Sequence, residues 1–107
     1  MPSASAMFHE DTRQLSPETM NMHRAIVSLQ EELEAVDWYR QRADACTDAE
    51  LKGILLHNMH EEIEHASMLL EWLRRNNEDF NKQFQTYLFT TKPILEVEED
   101  QEEDEAD

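Results

Sequence analysis

A chain of 107 residues is at most one small domain, and its single Gly and three Pro leave long uninterrupted runs that favour helices. The formal charge is −16, with nine acids and no base in the last twelve residues, which leaves −7 on residues 1–95; this balance argues against a nucleic-acid partner, whose phosphates need Lys and Arg, and favours cations. The one cysteine, Cys46, rules out an intramolecular disulfide and a thiolate metal cluster, and no signal peptide or apolar run of roughly eighteen residues is present, so a soluble protein of a reducing, intracellular compartment is expected.

Met1 to Leu15 is polar, Ser- and Ala-rich and without a sustained period, and reads as a flexible arm that carries Phe8 and a solvent-exposed His9. Ser16-Pro17-Glu18 then starts a helix, with Ser16 as N-cap, Pro17 at the first helical position and an acid in the first turn. Met22, Ile26, Leu29, Leu33 and Val36 recur at three and four, one apolar stripe of an amphipathic helix that should run from Pro17 to Ala45. Thr47-Asp48-Ala49-Glu50 reads as a capping box in which the Thr47 hydroxyl accepts from the Glu50 amide, and it opens a second helix reaching about Asn76. So short a connection folds the two helices into an antiparallel hairpin. Gly53 weakens the first turns of the second helix modestly. Asn77 caps a short third helix, Glu78 to about Phe89, with Phe80, Phe84, Tyr87 and Leu88 on its apolar side and Lys92-Pro93 as its stop. The acidic run that follows reads as a disordered tail. The expected organisation is an all-α chain with an arm at 1–15, a helical region at 16–95 and a tail at 96–107.

Within the second helix, Met59-His60-Glu61-Glu62-Ile63-Glu64-His65 holds a Glu-x-x-His pair, Glu62 and His65. At about 100° per residue, Glu62 falls near the middle of the Leu55/Leu69/Leu73 stripe and His65 on its flank. A carboxylate there faces the packing partner, and burying it unpaired costs several kcal/mol unless it is neutralised, hydrogen-bonded or bound to a metal. On the first helix Glu32 lies beside Leu29 and Val36, with Tyr39 two turns on along the same side. Glu32, Tyr39, Glu62 and His65 are therefore candidates for one inward cluster. The competing reading is a hydrogen-bonded Glu–His pair with Tyr39 as a core aromatic. His57, His60, Glu61 and Glu64 point outward and read as a solvated face.

Di-iron carboxylate bundles take a Glu from each of two helices and a Glu-x-x-His from each of two others. This chain supplies half of that set, so two copies about a two-fold axis would complete a four-helix arrangement. A two-helix hairpin also fails to cover its own apolar faces, and dimerisation is expected on packing grounds as well.

Several segments carry a resemblance over roughly residues 16–95: His23-Arg24-Ala25-Ile26-Val27-Ser28, Glu31 to Tyr39, Glu62-x-Glu64-His65-Ala66, Glu71-Trp72-Leu73-Arg74-Arg75-Asn76 and Thr86-Tyr87-Leu88-Phe89-Thr90. In these the chain resembles the encapsulated ferritins. The resemblance implies a ferritin-like four-helix bundle formed by dimerisation and a ferroxidase centre completed across the dimer interface. In it Glu62 bridges two irons, Glu32 and His65 are terminal ligands and Tyr39 lies close to the metals. It also implies an annular decamer of five dimers, a second, outer metal site at Glu31, Glu34 and Trp38, and a place in the cytoplasm inside an encapsulin nanocompartment, with the encapsulin shell protein as partner. The wheel sets Glu31, Glu34 and Trp38 together on the face opposite the apolar stripe, where ordinary surface charge is the plain alternative. Fe(II) and O2 would be the substrates; Ca, Zn or Mn could occupy the same or outer sites. A short, partly apolar shell-docking peptide is expected in the family, and none is visible in the closing Glu102-Glu103-Asp104-Glu105-Ala106-Asp107, so encapsulation rests on the resemblance alone.

A reading from a different class competes: a non-catalytic metal-binding or scaffolding protein, in which Glu32, Glu62 and His65 hold Zn or Mn only to stabilise dimers. A further competitor is a four-ligand site within one chain.

Overall fold

The computed structural model describes residues 7–106, and the first six residues of the expected arm lie outside them. Four helices are present and no strand among the described residues: α1 (Pro17–Ala45), α2 (Ala49–Asn76), α3 (Glu78–Tyr87) and α4 (Ile94–Ala106). None is long and apolar enough to cross a membrane. The chain divides into two compact units, Met1–Trp72 and Leu73–Asp107, with the division inside α2.

The first unit holds α1 and most of α2. Ser16 caps α1 as expected: its hydroxyl accepts from the Thr19 amide at 3.1 Å, with Pro17 in the first turn. Ahead of it, the arm is more ordered than its composition suggested. Asp11 caps a short 3-10 turn at Thr12–Gln14, and the Phe8 ring stacks on His23 of α1 with centroids 4.0 Å apart. His9 is exposed.

The N-cap of α2 departs from the capping box read in the sequence. Asp48, not Thr47, caps the helix, its Oδ1 accepting from the Leu51 amide at 2.8 Å. A carboxylate one residue nearer the helix meets the exposed amides and the positive end of the dipole together, which a hydroxyl does less well. The link between α1 and α2 is therefore only Cys46 to Asp48, so the helices turn back on each other. Glu32 lies thirteen residues before the end of α1 and Glu62 thirteen after the start of α2, and the hairpin brings these equidistant positions side by side.

Small residues close the hairpin. Ala25, Ala43 and Ala66 are the buried side chains described in the first unit, whereas Leu33 (53 % exposed), Ile54 (52 %) and Ile63 (43 %) stand out toward solvent. Of the predicted stripe on α1, Met22, Leu29 and Val36 are half-buried and Ile26 and Leu33 exposed. One chain thus leaves much of its apolar surface uncovered.

The second unit holds the end of α2, α3 and α4. Asn77 caps α3 by accepting from the Phe80 amide at 2.9 Å, as the sequence indicated, and Phe80 and Phe84 meet edge to face. The helix ends at Tyr87, before Pro93 comes into play. Leu88 returns its N–H to the Phe84 carbonyl, and Phe89 takes a left-handed backbone conformation, φ 65°, which terminates the helix. Where a disordered tail was expected, α4 forms. Its residues include neither Gly nor Pro and many Glu, a good helix former, and its first amides, of Glu96 and Val97, donate to the Pro93 carbonyl. Val97 is buried, and Lys92 Nζ pairs with Asp100 Oδ2 at 2.8 Å.

Candidate metal site

Glu62 and His65 project from one face of α2, one turn apart, and Glu32 comes across from α1. Taking one ligand atom from each, the three lie within 4.8 Å of one another. His65 Nδ1 stands 3.6 Å from Glu32 Oε2 and 3.7 Å from Glu62 Oε2. These separations are too long for hydrogen bonds. They approach those of ligands sharing an ion: atoms about 2.1 Å from a common centre stand about 3.0 to 3.4 Å apart between right-angled and tetrahedral geometry.

The polar accounting points the same way. Glu32 Oε2 is buried and accepts no hydrogen bond, a state that polar groups in a folded interior rarely keep. The Glu32 side chain is 24 % exposed, that of Glu62 25 % and that of His65 43 %, so the cluster is half-buried with the imidazole nearer water. A hydrogen bond with the Glu62 carboxyl raises the Glu32 pKa above the ordinary carboxylate range; lost hydration and the Glu62 charge add to the rise, and His65 opposes it. Two carboxylates held this close repel each other, and a proton or a cation between them relieves the repulsion. The donor set of two carboxylates and one imidazole suits a first-row divalent ion, and the orphaned acceptor fits one.

Of the other candidates, Tyr39 is half-buried two turns beyond Glu32. Its ring lies under the Arg42 guanidinium, 5.4 Å from the centroid, and no hydrogen bond or ion pair among the described residues joins it to the three ligands. The Tyr-x-x-Arg spacing on one helix was the signal for that stacking, and the sequence reading passed over it. Glu31 is exposed, Glu34 half-buried and Trp38 42 % exposed; among the described residues Glu31 and Glu34 join no third acidic, His or Cys ligand. Gln30, also passed over, keeps a buried Oε1 without a partner. His57, His60, Glu61 and Glu64 are all exposed, with His57 Nε2 3.6 Å from Glu61 Oε1.

The model of the EncFtn-like family matches residues 7–91, which include all three candidate ligands. The chain belongs to the EncFtn-like family. It is 57 % identical over 98 residues to an encapsulated ferritin-like protein of Rhodospirillum rubrum, covering 92 % of this chain and 70 % of the relative. A ferritin-like protein of Thermotoga maritima is 50 % identical over 93 residues, 87 % of this chain and 82 % of that protein. Among solved structures, the crystal structure of a Nitrosomonas europaea protein superposes with a TM-score of 0.78 at 62 % identity, covering 81 % of this chain and 96 % of that one. The all-α fold and the encapsulated-ferritin resemblance read from the sequence therefore hold.

Proposed function

We propose that the chain oxidises Fe(II) to Fe(III) with O2 at a di-iron centre built by two copies, and that the ferric product is stored in an encapsulin shell. The observation that carries this reading is the cluster of Glu32, Glu62 and His65 with its unpartnered carboxylate oxygen. Membership of an encapsulated-ferritin family supports iron as the metal. Pairing of copies is supported by the three-ligand half-site and by Leu33 and Ile63, exposed apolar residues next in sequence to Glu32 and Glu62.

In this reading Fe(II) is substrate, and each ferrous ion gives up one electron to dioxygen. Glu32 and His65 hold the ions terminally and the two Glu62 carboxylates lie between them. The like charges of Glu32 and Glu62, which push the Glu32 pKa up, are what a cation held between them would offset. Carboxylates gain more from a trivalent than from a divalent ion, which favours the oxidised product. Tyr39 stands two turns along α1, under Arg42. Glu31, Glu34 and Trp38 form an outer, acidic approach where hydrated ions collect; a ring of five dimers and a cytoplasmic nanocompartment complete the assembly.

The test is the rate of ferric absorbance on adding Fe(II) to the protein in air. Glu32→Ala, Glu62→Ala and His65→Ala should each fall about a hundredfold or more, toward the protein-free background. Parent-like rates in all three variants would sink the ferroxidase reading, and metal-dependent pairing without oxidation would favour a structural Zn or Mn site.

A further inference from the structure

The charge pattern of α4 opposes the helix that its Glu-rich sequence, free of Gly and Pro, otherwise favours. The element carries eight acids and no base. Like charges meet one turn apart at Glu98/Glu102, Glu99/Glu103 and Asp100/Asp104, and the last acids sit at the end where the helix dipole is itself negative. Thirteen residues is also a length at which an isolated helix is marginal even with favourable side chains. What holds α4 is therefore its seat on the second unit. Val97, 7 % exposed, is its buried side chain among the described residues. Two lysines outside the helix reach its acids, Lys92 to Asp100 at 2.8 Å and Lys82 of α3 to Glu105 at 3.8 Å. Between α3 and α4 runs a groove lined by Lys82, Thr86 and Tyr87 on one side and Glu98, Gln101 and Glu102 on the other.

We propose that α4 is a charge-gated strap, helical while it lies on α3 and lifting away as an unstructured acidic segment when repulsion along it outweighs the Lys82 and Lys92 clasps. Lifting uncovers the Lys82, Thr86 and Tyr87 face of α3. The like-charge pairs run along the helix itself, and the Lys82 and Lys92 clasps are exposed, so added salt relieves the repulsion within α4. The strap therefore closes as ionic strength rises and loosens as it falls. Cations gathering around so acidic a protein act in the same direction.

Hydrogen exchange of the full-length chain, read on peptides covering residues 94–106, tests this. Between about 20 mM and about 300 mM sodium chloride, where the screening length shrinks from about 20 Å to about 6 Å, exchange of that segment should slow by roughly three- to tenfold. Lys82→Gln/Lys92→Gln should speed it at either salt and leave peptides from α1 unchanged. Glu99→Gln/Glu103→Gln/Asp104→Asn, at exposed positions outside both clasps, should slow it at low salt without touching α3. If the segment exchanges at the unstructured rate in every condition, α4 never docks and the proposal is overturned. Protection equal to that of α2, and indifferent to salt and to both sets of substitutions, overturns it equally.

Discussion

Glu32 concentrates the chemistry of the molecule in one carboxyl group. Its raised pKa means that the folded, metal-free protein binds a proton more tightly there than the unfolded chain, whose value lies near 4.5. The stabilisation is complete below that value and is lost as pH climbs through the raised folded pKa. In chelator, this site therefore makes the protein less stable at pH 7 than in the mildly acidic range just above 4.5. Glu32→Gln removes the second charge and supplies a donor for Glu62, so at pH 7 without metal the variant should be more stable than the parent by about 1 kcal/mol. Thermal melts in chelator check this. Adding Mn(II) should reverse the order, since only the parent keeps the full ligand set. Glu62 and His65 were legible because Glu-x-x-His falls on an apolar stripe, and Glu32 because it sits on the stripe of the facing helix. The unpartnered Oε2 was not legible: which carboxylate oxygen loses its water depends on how two helices meet, and no single-helix pattern carries that.

Among the elements, the long helices were the readable part. Ser16-Pro17 opens α1 and Asn77 opens α3 by mechanisms that act within a few residues, so local sequence was enough. The start of α2 shows the limit, because Thr47 and Asp48 are both sound N-caps and the choice turns on a single residue of register. The two possibilities differ in consequence. Asp48→Ala should cost about 1 kcal/mol in urea unfolding of the full chain, and Thr47→Ala only a few tenths; equal losses would restore Thr47 to the box. The helical state of α4 was illegible for a different reason. Its composition does describe a disordered segment, and the contacts that override composition come from Lys82, Lys92 and the seat of Val97, all of them tertiary.

For the whole molecule, the uncovered apolar side chains and the proposed pairing at the candidate site make one demand. A chain of 12.7 kDa in which alanines are the buried side chains described for the first unit has little core there, and Leu33 and Ile63, next in sequence to Glu32 and Glu62, stand uncovered. Leu33→Glu and Ile63→Glu place a charge beside Glu32 and Glu62 at positions already open to solvent in one chain. Each should leave helix content intact yet weaken pairing by on the order of 30-fold, equivalent to about 2 kcal/mol. Sedimentation would show lighter species, and iron oxidation per chain would fall with the mass; a monomer that still oxidised iron would place the whole site in one protomer. The turn after α3 has a different kind of consequence. Phe89 lies outside any helix, left-handed and fully open to water, a form in which a peptide bond is easily presented to a protease that prefers aromatic side chains. A nick there leaves Glu32, Glu62 and His65 on one fragment and carries α4 off on the other. The candidate metal site and the acidic helix are thus separable by a single hydrolysed bond, as cargo is from its lashing.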